Sequence, residues 1–247
     1  MKKAILTCVI TLIIASFLAA LPVQAEDTIK DMPGDDLDQL LQGAVSESPS
    51  IRNYSIRRAL YLLSSSMDTH VSQNTKQMIE TQFHNNINRQ TILLAGLAGV
   101  ESLSDEIYFW ASQPMEEPQV GSFHGTNEWA ANLVLARQGN TQSVARLLEF
   151  TKKQDLHTTV VFILIDLQYV PQPEIVDFLK GYLDSDERLE PVKSTVEGLP
   201  VANYAASSLA RILQGFPVSY REDYSYSERE IRACRAWMSE QKEWKYR

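Results

Sequence analysis

Residues 201–213 have the sequence VANYAASSLARIL, and this stretch shows most clearly what kind of structure the chain forms. Val201, Ala205 and Leu209 follow one another at four-residue steps, and Ile212 continues the same side into a third turn. Apolar residues at a period of 3.6 lie on one face of an α-helix, whereas a half-buried strand alternates apolar and polar residues. The stretch therefore predicts an amphipathic helix.

The helical period recurs over nearly the whole chain, and one run alone suggests a strand. Residues 160–167, VVFILIDL, are rich in β-branched side chains and could form a central strand. A single strand among helices would have no neighbour to satisfy its backbone, so we predict a buried helix instead. The predicted fold class is all-α.

Capping residues divide this pattern into short helices. Gly139 can end one helix in the left-handed conformation, and Asn140 can begin the next. Pro173 suits the first turn of a further helix, and Ser227 with Glu230 forms the pattern of a capping box. Between the helices, the content of proline, glycine and polar residues predicts two longer irregular stretches, Gln113–Thr126 and Asp184–Pro200.

The helices suggest a degenerate internal repeat of helical hairpins. The second helices of the hairpins begin near Ile51, Ile87, Thr126, His157 and Val201, roughly 30 to 45 residues apart. Units of this length, each formed by two helices, are typical of α-helical repeat proteins.

Three of these second helices carry residues that resemble a HEAT repeat. The stretch Val201–Ile212 has small residues among its larger apolar ones, and in that family small residues let paired helices approach closely. Ser48–Arg52, SPSIR, is similar to the acidic-Pro-x-Val-Arg entry into such a helix, although Ser48 replaces the acid. Thr126–Val134 has alanines in the same register.

The resemblance covers Asp36–Gln214 and implies a right-handed α-solenoid of about five HEAT-like helical hairpins. It implies a domain from 26 to 226, whose second helices line a concave face that binds a protein or peptide. Residues 227–247 would form a C-terminal capping helix, in which Trp237 and Trp244 lie two turns apart and cover the open end. A docking helix for a partner is the alternative for this segment.

If the repeat register is right, each second helix exposes an aromatic or polar pair on the concave face. Binding surfaces favour such residues, because rigid rings give contact area at low entropic cost. A slip by one residue would instead place the rings in the core. The predicted partner-binding residues are Asn53, Tyr54, Arg89, Glu128, Trp129, Asn203 and Tyr204.

The amino terminus predicts export. Lys2 and Lys3 precede an uncharged run, Ala4–Leu21, and Ala25 follows Pro22 at a position that suits signal-peptidase cleavage. We therefore expect a signal peptide at 1–25 and a periplasmic or secreted mature chain, the alternative being an uncleaved membrane anchor.

The charge and the cysteine content of the chain argue against some classes of partner. Without Lys2 and Lys3 the net charge changes from −8 to −10. The remaining sequence has no basic stripe, which argues against a nucleic-acid partner and against a polybasic membrane contact. Cys234 is then the single cysteine, so it either is buried or joins two chains. Its helical stripe with Ile231 and Met238 favours burial, and we expect a monomer.

The chain has few combinations of residues that could support catalysis. Its four histidines are dispersed without zinc-ligand spacing, and Asp184–Glu187 lacks the rest of a calcium loop. Ser239–Lys242 matches a serine acyl-transferase string without its companion motifs. Ser122 and His124 are close together in a loop but lack an evident third member. We expect no cofactor and no metal.

The sequence thus predicts a non-catalytic interaction or scaffold module that binds a protein or peptide in the cell envelope. Two alternatives remain open. The first is an inhibitor or immunity protein that blocks an envelope-targeting toxin by covering a basic active site. The second is a serine hydrolase that uses the loop with Ser122 and His124.

Overall fold

The computed structural model describes residues 36–44, 46, 48–64, 71–115, 125–189 and 198–247. These residues form helices joined by turns, and the described part contains no β-strand, only two isolated bridges, Arg188 with Pro200 and Leu213 with Tyr246. The predicted all-α class is confirmed. By its internal contacts the chain divides into two units, Met1–Ile56 and Arg57–Arg247.

The described part of the first unit contains one short helix and the start of a second. Helix α1 spans Leu37–Gly43, and the Asp36 carboxylate caps it by accepting a hydrogen bond from the Gln39 N–H at 3.1 Å. Helix α2, Pro49–Ser64, begins here and continues past the unit boundary. Arg52 donates a hydrogen bond to the Ser46 carbonyl at 3.0 Å, which fixes the entry into α2.

The second unit contains the rest of α2 and nine further helices within the described residues. In chain order they are α3 Gln73–Asn85, α4 Arg89–Leu97, α5 Ser104–Ser112, α6 Asn127–Arg137, α7 Thr141–Lys152, α8 (Leu156–Thr158, the wide π turn Thr159–Ile163, and Leu164–Leu167), α9 Pro173–Leu183, α10 Val201–Ile212 and α11 Glu228–Glu240. A 3-10 turn, Glu101–Leu103, precedes α5.

Helix boundaries follow the capping residues that the sequence predicted. Gly139 has φ of 91°, and the Asn140 side chain accepts a hydrogen bond from the Ser143 N–H at 2.9 Å at the start of α7. Pro173 begins α9, and Ser227 with Glu230 forms both halves of the capping box of α11. These predictions are confirmed.

The run VVFILIDL is helical, as predicted, and the described residues contain no strand that could pair with it. Val160, Ile163, Leu164 and Leu167 are fully buried. The π turn was not expected, and it widens α8 just before Asp166. Such turns are rare and frequently occur at functional sites.

Helices α6 and α10 are the two most deeply buried elements of the second unit. Helix α6 packs against α4, α5 and α7, and α10 packs against α8, α9 and α11. The α4–α6 contact is close, because a Cβ added at Gly96 would lie 2.2 Å from Val134 Cγ1. A glycine is therefore required at this crossing.

The carboxyl terminus differs from the prediction of one continuous capping helix. Helix α11 ends at Glu240, so Trp244 lies beyond the helix and does not share a helical face with Trp237. The final residues instead pair with the end of α10, where Gln214 N–H donates to the Lys245 carbonyl at 2.8 Å. Trp237 packs edge-to-face on Phe216 with ring centroids 5.5 Å apart.

Cys234 is fully buried, as its apolar stripe predicted, and burial raises the pKa of its thiol to about 12. Within the described residues, no helix combines the length and apolarity needed to cross a bilayer.

The Gly96 crossing gives a stability prediction. We expect Gly96→Ala to lower the free energy of unfolding by about 1–3 kcal/mol, because the added methyl group overlaps Val134. Gly181→Ala is the matched control: no atom lies within 4 Å of its added Cβ, so we expect a gain of up to about 1 kcal/mol from helix propensity. Urea unfolding measures both, and equal stability of the two variants would contradict the close crossing.

Candidate functional site

A buried carboxylate joins three helices of the second unit. Asp166, on α8, is 7% exposed, and its Oδ2 accepts a hydrogen bond from Trp129 Nε1 on α6 at 2.9 Å. Its Oδ1 forms an ion pair with the guanidinium of Arg89, which lies at the start of α4. Two predicted site residues, Arg89 and Trp129, therefore meet at a group that the sequence analysis did not select.

The guanidinium of Arg89 is held in place from two sides. Burial alone would lower the pKa of Arg89, but the charge and hydrogen bond of Asp166 outweigh burial and raise it. Gly125, at φ of 65°, lies directly against this side chain, since an added Cβ would be 2.4 Å from Arg89 Nε. That Nε is buried, and none of the residues that the structure describes forms a hydrogen bond with it.

A second arginine, Arg211 on α10, is 7% exposed and lies between two tyrosine rings. Its Cζ is 4.1 Å from the ring centre of Tyr61 and 5.0 Å from that of Tyr220, a geometry that gives cation–π attraction. Its Nη2 donates hydrogen bonds to the Tyr61 carbonyl at 2.7 Å and to the Ser64 hydroxyl. Within the described residues, Arg211 has no carboxylate in an ion pair with it.

Tyr169 and Arg137 connect these two arginines. Burial raises the pKa of Tyr169 to about 12, with a further contribution from Asp166 that Arg89 and Arg211 oppose. Arg137 donates to the Tyr169 carbonyl at 3.1 Å. Burial, and then the charge of Arg211, lower the pKa of Arg137. Positive charge is therefore concentrated here.

We name this set the arginine–tyrosine cluster. Its members come from α2, α4, α6, α8, the turn after α8, α10 and the segment after α10. Five of the seven are half-buried, and the other two, Asp166 and Arg211, are buried. The members are Tyr61, Arg89, Arg137, Asp166, Tyr169, Arg211 and Tyr220.

The segment that carries Tyr220 is fastened to α10 by polar side chains. Asn203 donates to the carbonyls of Tyr224 at 2.8 Å and Tyr226 at 3.2 Å, and Ser207 donates to the Arg221 carbonyl at 2.8 Å. Tyr224 adopts φ of 53° and stacks on Tyr204 with centroids 4.5 Å apart. The stack extends the aromatic surface beside the cluster.

The sequence analysis expected Trp129 and Asn203 to be exposed, and this prediction is wrong for both residues. Trp129 is 1% exposed, because its ring packs 5.4 Å from Phe150 and its N–H needs the buried Asp166 as acceptor. Asn203 is 2% exposed, because its amide holds the segment after α10. The side chains at both positions therefore point into the core, and not toward the predicted binding face.

The other predicted site residues are distributed over both units. Arg89, Glu128 and Tyr204 are half-buried in the second unit, and the Glu128 carbonyl accepts a hydrogen bond from Asn132 at 2.8 Å. Asn53 is exposed and Tyr54 half-buried in the first unit. Their contact with a partner stays a prediction.

The sequence analysis missed Asp166 and Arg211, although each stands out in its own helix. Asp166 is the single charged residue in VVFILIDL, and Arg211 is the single one in VANYAASSLARIL. A charge inside a buried helix needs a partner, so each signalled a buried polar contact.

Other candidate sites give weaker geometry. Ser122 and His124 lie outside the described residues, as does the predicted signal peptide. Among the residues that are described, no three His, Cys, Asp or Glu side chains come together as a metal site. A recess beside α10 and α11 contains Arg235, but that guanidinium is occupied by the carbonyls of Leu183 and Ser185.

No protein-family model, curated protein or solved structure matches the chain. The chemistry of the cluster itself is therefore the guide to function.

The ion pair gives a second stability prediction. Asp166→Asn leaves the half-buried guanidinium of Arg89 without its counter-charge, and we expect a loss of about 3 kcal/mol in the free energy of unfolding. Glu149→Gln, which breaks the exposed Lys153–Glu149 pair, is the control, with an expected change below about 1 kcal/mol. Equal effects in urea unfolding would show that Asp166 does not stabilise the helix junction.

The raised pKa of Tyr169 gives a prediction for alkaline pH. Unfolded tyrosine loses its proton near its ordinary value of 10, while folded Tyr169 keeps it to about 12, so this residue lowers stability as pH rises through that window. We expect Tyr169→Phe to reduce the loss between these pH values by at most about 2–3 kcal/mol. Tyr108→Phe, at an exposed ring on α5, is the control in denaturant titrations. Parallel curves for wild type and Tyr169→Phe would contradict the prediction.

Proposed function

We propose that the chain is a non-catalytic interaction module that binds a protein or peptide on one face of its second unit. We name this the second-helix face, formed by α4, α6, α8 and α10 together with the arginine–tyrosine cluster. The observation that carries the proposal is the cluster itself, in which tyrosines and arginines from the second helices and from the segments that follow α8 and α10 lie together.

The order of helix contacts supports a solenoid arrangement of this unit. Helix α4 packs on α6, and α8 packs on α10, while the Trp129–Asp166 hydrogen bond links α6 to α8. Pairs α3/α4, α5/α6 and α9/α10 also pack as hairpins. Contacts between neighbouring repeats, with second helices in sequence along one face, are what a HEAT-like right-handed solenoid requires.

The composition of the face supports a protein or peptide as its ligand. Tyrosine and arginine are enriched at interfaces, because both combine a large apolar area with hydrogen-bond donors. Tyr204, Tyr220 and Tyr169 are each half-buried, so each ring is supported by the fold and leaves part of its surface accessible. Supported rings of this kind lose little entropy on binding.

The compartment of this activity is part of the proposal. Lys2 and Lys3, the uncharged run and Ala25 form the pattern of a secretory signal, which would deliver the module to the periplasm or the medium. Buried Cys234, with its raised thiol pKa, is compatible with an oxidising compartment, because the thiolate needed for disulfide exchange is disfavoured.

Site-specific photo-crosslinking tests the proposal. With p-benzoylphenylalanine at Tyr204 or Tyr220 in cells that produce the full chain, we expect a discrete crosslinked band at both positions. Both rings lie on the second-helix face and are partly accessible.

The matched control carries the crosslinker at Lys153, an exposed residue directly after α7. We expect no band there. Equal crosslinking at Lys153 and Tyr204, or none at the two tyrosines in folded protein, would overturn the second-helix face as the binding surface.

A further inference from the structure

We propose that the outer side of α5 binds a lysine side chain of a basic protein segment. This surface is additional to the one in the proposed function, because α5 is not part of the second-helix face. The lysine is specified by exposed aromatic rings, by the carboxylates one turn before them and by a narrow cleft beside one of the rings.

Two neighbouring aromatic side chains of α5 are exposed. Tyr108 is 54% exposed and Phe109 is 59% exposed. Phe109 packs edge-to-face on the half-buried Trp110 with ring centroids 5.7 Å apart, so its position is supported by a neighbour. Adjacent exposed rings with polar residues around them are typical of interaction sites. The face of such a ring also attracts a cation.

Carboxylates lie one turn before these rings. Asp105 and Glu106 belong to the first turn of α5, and Glu101 belongs to the 3-10 turn that precedes it. Residues three or four apart lie side by side on a helix, so Asp105 is a neighbour of both Tyr108 and Phe109. Asp105 and Glu101 are exposed. An ammonium group can therefore contact a carboxylate and a ring face together, which an anionic group cannot.

A cleft of about 60 Å³ lies beside Tyr108. It is lined by apolar residues, among them Val100, Ile107 and Leu135, and by Glu101. One water-sized group needs about 10–15 Å³ of such space, so the cleft has room for roughly four. This size suits the four-carbon stem of a lysine, which packs on apolar surface and leaves its ammonium near a carboxylate.

Two cations near α5 lie outside the cleft. The Lys76 ammonium, on α3, is 3.9 Å from the position that a Cβ on Gly99 would take. Arg146, on α7, donates hydrogen bonds to carbonyls at the other end of α5. Neither is among the described residues that line the cleft, where Glu101 contributes a charged group. The surface beside the exposed rings therefore complements a positive side chain.

Fluorescence anisotropy with the full chain, at about 0.15 M salt, measures this binding. The probe is a fluorescein-labelled decapeptide of alternating lysine and alanine. The comparison probe has acetyl-lysine in place of lysine, which keeps the stem and removes the charge. We expect a Kd below about 1 mM for the lysine peptide and binding at least about threefold weaker for the acetylated one.

Two substitutions at exposed positions locate the site. Glu101→Gln removes the carboxylate at the cleft, and Tyr108→Ala removes the ring beside it. We expect each to weaken binding of the lysine peptide about threefold, and the double variant to weaken it about tenfold.

The matched controls are Glu240→Gln, at the exposed carboxylate that ends α11, and Leu156→Ala, at an exposed apolar residue of α8. We expect the lysine peptide to bind both controls as tightly as it binds wild type. Circular dichroism melting checks that all four variants fold.

The outcomes distinguish this site from general attraction to an acidic chain. Equal weakening in Glu101→Gln and Glu240→Gln, or no binding of the lysine peptide up to about 1 mM, overturns the proposal. Equal affinity for the lysine and acetyl-lysine peptides overturns it as well. Crosslinks from Tyr204 and Tyr220 test the second-helix face separately, so either surface can fail while the other stands.

Two further measurements identify other occupants of the exposed rings. Binding to phosphatidylcholine vesicles that Tyr108→Ala abolishes, without binding of the lysine peptide, would assign the rings to a lipid surface. A dimer in analytical ultracentrifugation that Tyr108→Ala abolishes would assign them to a second copy of the chain. Either result overturns the lysine site.

Discussion

The Asp166 carboxylate is the interaction on which the packing of α4, α6 and α8 depends. Apolar burial drives these helices together but has no direction, so several mutual positions would bury similar area. A buried carboxylate allows far fewer arrangements of the helices. Any arrangement that separates Asp166 from Arg89 and Trp129 costs several kcal/mol. Each partner comes from a different helix, so satisfying one side chain fixes three helices relative to one another. The π turn Thr159–Ile163 lies just before Asp166 in the same helix.

Arg211 also links two helices, but its partners carry no full charge. It too is a single charge in a buried helix, and it links α10 to the end of α2 through the carbonyl of Tyr61. Asp166 meets a full opposite charge, whereas Arg211 meets neutral acceptors and two ring faces. Asp166 therefore fixes helix positions through an ion pair, and Arg211 does so through neutral acceptors and ring faces. Both residues are polar exceptions in apolar helices.

Local pattern was enough to predict the helices and was not enough to predict the cluster. Gly139 and Ser227 specify helix ends through contacts within four residues, which the sequence displays directly. The Arg89–Asp166 pair spans 77 positions and the Arg211–Tyr61 contact spans 150, so no local period could join them. The predicted binding face failed at Trp129 for a related reason. An aromatic ring at the correct helical spacing faces inward or outward according to where its N–H finds an acceptor, and that acceptor is on another helix.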